Sequence, residues 1–153
     1  MLWVYGLDIN TFTAITAGFI VSQAMLVLVT RIKERQYAAN NQNSSMQTAF
    51  ADGQVALAIR YAGQVISTAL AVTAASHFLT YSPDTLLVNL VGWLVFGMVM
   101  TLLVAILTSI AKRLVLMGIN LVEEVDHQHN IGVASVEMAI SISIALILTA
   151  LMS

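Results

Sequence analysis

The sequence predicts an all-α polytopic membrane protein, a single domain over residues 1–153 with four spanning helices. Three observations carry that prediction: the composition, two long runs without ionisable side chains, and the placement of the basic residues. Of 153 residues, 59% are apolar and only 9% are Asp, Glu, Lys or Arg. A soluble domain averages about 45–50% apolar and about 25% charged. Six basic and eight acidic side chains are too few to cover a water-soluble globule of this size. Ordinary soluble enzymes and disordered tails are excluded on that ground. Nucleic-acid binding is excluded as well, because a net charge of −2 leaves no basic footprint. The absence of cysteine rules out disulfides, Cys-ligated zinc, iron–sulfur clusters and thiol catalysis.

The elements follow in order. The start of the chain has no basic stretch, and Trp3 and Tyr5 precede Asp8. That is a poor secretory signal, so the first apolar segment is expected to remain in the mature protein. Residues 11–30 contain no ionisable group, and about 20 helical residues cross a hydrocarbon layer of roughly 30 Å. Arg31, Lys33 and Arg35 come next. The connection 36–53 is rich in Asn, Gln, Ser and Ala, and reads as a mobile linker or a weak surface helix. The second helix is expected at about 54–80, with Arg60 inside it, His77 near its end and Pro83 in the turn that stops it. Residues 85–111, again without an ionisable group, form the third, followed by Lys112 and Arg113. Leu114, Met117, Leu121 and Val125 then recur at helical spacing, opposed by Arg113, Asn120, Glu123 and Glu124. This pattern predicts that the third helix continues as an amphipathic stalk, or bends along the surface. Residues 130–152, with Glu137, form the fourth. Helices are preferred throughout because a backbone in lipid must satisfy its own hydrogen bonds. The positive-inside rule places both basic connections in the cytoplasm and both termini outside, with Trp3, Tyr5 and Tyr81 at the outer interface.

The chain reads as a duplication. Gln54-Val-Ala-Leu-Ala58 aligns with Asn130-Ile-Gly-Val-Ala134 at an offset of 76, which also carries Gly63 onto Ala139 and Ser67 onto Ser143. Asp52 and Asp126 precede the two motifs. Two tandem two-helix repeats, 1–80 and 81–153, are therefore expected, in one orientation about an axis along the membrane normal. Gly63, Ser67, Ala71 and Ala75 make a stripe of small residues on helix 2, and Ser135, Ala139 and Ser143 its counterpart on helix 4. Small side chains let helix backbones approach in lipid, so the two stripes predict a helix 2–helix 4 contact.

The second motif, Glu123-Glu124-Val125-Asp126 followed by Asn130-Ile-Gly-Val-Ala-Ser-Val-Glu-Met-Ala139, resembles the bacterial YjfL-type family of inner-membrane proteins (domain of unknown function 350). The likeness covers nearly the whole chain; in the first repeat Gln54 stands where the family has Asn. It implies a four-helix bacterial inner-membrane protein with the same duplication and no established activity. It also implies a membrane or envelope-stress protein as partner, since relatives are found beside such proteins and beside polyamine- or glutathionylspermidine-related enzymes.

Each motif opens a helix at the cytoplasmic interface, where the first backbone N–H groups lack acceptors. Asn130 is expected to cap one; Gln is a poorer cap, so Asp52 is the alternative to Gln54. Arg60 and Glu137 are the embedded charges, both roughly 9–11 Å into their helices at 1.5 Å per residue. Such groups are costly and face a partner or a polar path, although an Arg near a helix end can also snorkel to the headgroups. With the two stripes facing each other, Arg60 points into the interface and Glu137 away from it. A direct bond within one chain is then hard to build, and Glu137 is expected to meet Gln23, Asn89, a basic residue or a neighbouring copy. His127 and His129 with Glu123, Glu124 and Asp126 are metal-ligand types, but no metal, cofactor or catalytic set is expected from so incomplete a constellation. The function expected is a scaffold or accessory subunit, not an enzyme, that forms a homo-oligomer in the lipid bilayer or joins a partner complex. The alternative is an oligomeric ion or proton channel, or a small-solute transport unit, using Arg60 and Glu137.

Overall fold

A computed structural model describes residues 9–42, 44–75 and 86–152. The expectations for Trp3, Tyr5, His77, Tyr81 and Pro83 lie outside the described residues. The described residues form five α-helices, α1 (Ile9–Asn40), α2 (Met46–Ala51), α3 (Val55–Ala74), α4 (Leu86–Val115) and α5 (Ile131–Met152). A π-helical turn over Glu123–His127 precedes the last of them, and no strand occurs among the described residues. Among the described residues, four helices are long and apolar enough to cross a membrane: α1 from Ile15, α3, α4 from Leu87, and α5. The protein is a multi-pass α-helical membrane protein.

The first connection is helical rather than a linker. Lys33, Glu34, Arg35, Gln36, Ala38 and Ala39 are strong helix formers, so α1 runs unbroken through the basic residues to Asn40. The chain turns at Gln42, whose φ of 54° is left-handed, and re-enters helix as α2. Met46 and Ala49 of α2 are buried with Tyr37 and Leu57, and the Phe50 and Tyr61 rings sit 5.5 Å apart. α2 is thereby pinned against α1 and α3.

The second connection differs from the expected stalk. α4 stops at Val115, and Gly118 takes a φ of 86°, a conformation that favours glycine. Asn120 Oδ1 then accepts hydrogen bonds from the backbone N–H groups of Val122 (3.2 Å) and Glu123 (3.3 Å), starting a new helical turn. Leu114 and Met117 are left exposed while Val125 is fully buried, so these residues do not share one continuous face.

α3 packs most extensively along α5, with α4 and α1 against its other sides. At Gly63 the α3 and α5 helices come close: an added Cβ would lie 2.8 Å from the Met138 Cα. Gly63, Ser67, Ala71 and Ala75 are all buried. On α5 the expected stripe is corrected: Ala139 and Ser143 are exposed and Ser135 is half-buried. The buried residues are Ala134, Glu137, Ser141 and Ala145. Positions two residues apart differ by about 200° around a helix, so the stripe 137–141–145 lies on the face opposite 135–139–143. The half of the bundle away from the loops is closed by Ala71, Ala74, Ala75, Met100, Val104 and Ala145. α1 docks through Val21 and Met25 near Val72, with the Trp93 ring seated over Gly18. The remaining faces of α1 and α4 carry exposed apolar side chains such as Phe19, Val99 and Leu102.

Candidate functional site

The loop end of the bundle is where α1 and α4 finish and α3 and α5 begin. Arg60 lies on α3, about a turn and a half from its start, and points inward. Its guanidinium is engaged on every side. Nε donates to Glu137 Oε2 at 2.6 Å, Nη1 donates to Asp126 Oδ1 at 2.6 Å, and Nη2 donates to the Leu121 carbonyl. The planar fork of Arg suits three acceptors held in one plane, and charge-assisted bonds of this kind are the strong ones. Glu137 is bound a second time, its Oε1 accepting from Lys112 Nζ of α4 at 2.7 Å. The side chains are 12% exposed for Arg60 and Lys112, 6% for Glu137 and 4% for Asp126. This is a desolvated network joining α3, α4, α5 and the π-helical turn.

The geometry corrects two expectations. Arg60 and Glu137 pair within one chain, because Glu137 faces α3 rather than the opposite side. Glu137 therefore needs neither Gln23, Asn89 nor a neighbouring copy. The snorkelling alternative for Arg60 is not what the structure shows, since its head is turned into the bundle. Asp126, expected only as a motif residue, is a full member of the cluster. Burial raises its carboxyl above the usual aspartate value, opposed by Arg60 and by a hydrogen bond from Asn41.

In the sequence Lys112 and Lys33 carry only an orienting signal. The structure turns both inward, and Lys33 lies within electrostatic reach of Lys112, Glu137 and Arg60. A long aliphatic stem lets a lysine at a membrane boundary aim either way, so spacing alone carries no signal for the inward choice. The Leu121 carbonyl was equally invisible, because it is presented only once Gly118 and Asn120 have turned the chain.

The two helix openings differ. Asn130 Oδ1 accepts from the Val133 N–H at 3.1 Å, and Asn130 Nδ2 donates to Glu124 Oε2 at 2.7 Å. Asn130 is a true N-cap. Gln54 makes no capping bond, and its Oε1 is buried without a partner. Asp52 is exposed at the end of α2 and does not replace it. His127 and His129 are exposed, and among the described residues no three His, Asp or Glu side chains group as metal ligands.

Three hollows run inward from the loops. An open cleft of about 770 Å3 is bordered by Asn40, Asn41, Gln54, Asp126 and His127. It shares Tyr37, Asn40 and Asp126 with a hollow of about 110 Å3 beside Arg60. That hollow in turn shares Lys33 and Gln64 with a cavity of about 100 Å3 among the long helices.

Over residues 6–152 the sequence matches the family described as Domain of Unknown Function (DUF350). The chain belongs to that family. No curated protein and no solved structure matches it. The DUF350 assignment agrees with the resemblance read from the second motif, and it brings no activity with it.

Proposed function

We propose that this DUF350 chain is a scaffold or accessory subunit of the bacterial cytoplasmic membrane, assembling with itself or with a partner complex rather than catalysing a reaction. The observation that carries this reading is the closed charge cluster. A conducting group exchanges partners as an ion or proton passes. Here Arg60, Asp126 and Glu137 are mutually engaged inside one chain, and the half of the bundle away from the loops is closed by small and apolar side chains. The cluster acts as a latch that fixes three helices and leaves the polar loop end as the face for a partner, for which the family resemblance suggests an envelope-stress protein.

Two further parts of the reading have support. Exposed Arg31, Arg35 and Arg113 share the loop end, which favours that end in the cytoplasm and both termini outside. Duplication is supported by the element bounds. Shifted by 76 residues, α1, α2 and α3 fall on α4, the 122–127 segment and α5. Gly53 (φ 80°) and His129 (φ 55°) are left-handed at matching positions, each just before its helix opens.

Conduction is kept as a second reading because the three hollows line up from the loop end toward mid-bundle. Reconstitution separates the two. Purified protein in liposomes should show no ion or proton flux above empty vesicles, and its mass in native detergent should reveal assembly. Flux that is lost in Arg60→Ala and Glu137→Gln while assembly persists would sink the scaffold reading.

A further inference from the structure

The innermost hollow, of about 100 Å3, lies where all four long helices meet, deeper than the charge cluster. Lys33 of α1, Gln64 and Thr68 of α3, Thr108 and Lys112 of α4 and Ser141 of α5 line it. Its wall is rich in uncommitted donors. A hydroxyl inside a helix ordinarily donates to a carbonyl one turn back. Ser141 does so to Glu137 and Thr68 to Gln64. Thr108 does not: the residue is 7% exposed and its Oγ1 has no partner. Thr101, also on the wall, has a buried Oγ1 in the same state. Lys33 makes no salt bridge among the described residues, and Lys112 spends one of its three N–H groups on Glu137.

Charge points the same way. Three inward-turned cations, Lys33, Arg60 and Lys112, stand against two carboxylates in contact with them or within electrostatic reach, Asp126 and Glu137, an excess of one positive charge when all are ionised. Uncompensated charge away from water is expensive. A water takes up about 30 Å3 in the liquid, so the space suits a halide or a nitrate with a water or two. A phosphorylated headgroup is too large.

We propose that this cavity is a binding site for one small monovalent inorganic anion, held by the Lys33 and Lys112 ammonium groups and the Thr101 and Thr108 hydroxyls. The anion enters from the loop end through the two outer hollows. The site is independent of whether the protein scaffolds or conducts, since occupancy alone neutralises the excess charge.

Thermal unfolding in detergent tests it, with sodium bromide or sodium nitrate replacing sodium gluconate at constant ionic strength. Gluconate is too large for the cavity. Bromide should raise the midpoint saturably, by roughly 3–6 °C at tenfold excess over its Kd. Thr108→Val, which keeps shape and removes the donor, should abolish the rise, and Lys33→Met should do the same. Equal midpoints in bromide and gluconate overturn the proposal, as does a bromide response that survives both substitutions. Should either variant fail to fold, the wild-type protein decides by itself. Crystals grown in bromide must show the anomalous peak between Lys33 and Thr108, and water alone there overturns the site.

Discussion

Removing the Arg60 guanidinium would leave Asp126 without a cation in contact and Glu137 with Lys112 alone. Breaking a buried pair from one side costs about 3–5 kcal/mol, because the orphaned charge stays desolvated. Arg60→Met should therefore lower stability by about that much in detergent, read from denaturant midpoints, and adding Asp126→Asn should restore part of it. Asp126 also sets a pH dependence. Its carboxyl is raised above an ordinary value of 3.8, chiefly by burial, so between that value and its folded pKa the native state holds more protons than the unfolded one. Stability then falls as pH rises through that window. Asp126→Asn should flatten this fall, and an unchanged pH profile in the variant would contradict the assignment. Arg60 and Glu137 could be singled out in the sequence because charges inside apolar runs are conspicuous. Their pairing could not, since periodicity fixes angles within a helix but not which face turns inward. α5 carries small residues on two opposite faces, and the repeat alignment points to 135–139–143 rather than to the Glu137–Ser141–Ala145 face that is buried. Lys33 and Lys112 were hidden for a different reason, their stems being long enough to satisfy either direction.

The ends of the helices carry their own tests. Asn130→Ala removes the acceptor for the Val133 N–H and should cost about 1 kcal/mol. The reciprocal change in the first half is predicted to help. Gln54→Asn brings the side-chain oxygen back toward the first turn of α3 and removes a buried orphan, for a gain of about 0.5–1 kcal/mol. Equal destabilisation by both substitutions would contradict the capping account. At the α3–α5 crossing, a methyl at Gly63 would meet Met138 Cγ at 2.7 Å and Cα at 2.8 Å. Backbone cannot yield as a side-chain tip does, so Gly63→Ala should cost about 1–3 kcal/mol and Ser143→Ala, on the exposed face of α5, no more than about 0.5 kcal/mol. The apolar runs placed all four spanning helices in the sequence, whereas their loop-end limits were blurred. α1 and α4 run past the ends of their uncharged runs, at 30 and 111, because Lys, Arg, Glu and Ala sustain helix without burial. The punctuation that ends α4 and opens the next turn, Gly118 and Asn120, is present in the sequence, but the amphipathic pattern around it points to a continuous helix.

Across the whole molecule, helix length and charge position fix one geometric relation. At 1.5 Å per residue, the 20 residues of α3 span about the hydrocarbon thickness, while the 32 residues of α1 and 30 of α4 overshoot it. Their extensions at the loop end rise beside the starts of α3 and α5, and the charge cluster sits within that collar. Four spans also require both loops to emerge on one side, so 41–54 and 116–130 must share a compartment whatever the orientation. The chain has no cysteine, so single replacements can report on this without background. Ser44→Cys and Gln128→Cys lie at exposed positions on the two loops and touch neither the charge cluster nor the cap at Asn130. In intact cells, a membrane-impermeant maleimide should label neither, and opening the inner membrane should expose both. Labelling of both in intact cells would reverse the orientation proposed from Arg31, Arg35 and Arg113. Labelling of one without the other would break the four-span fold itself, because no arrangement of these helices separates the two loops.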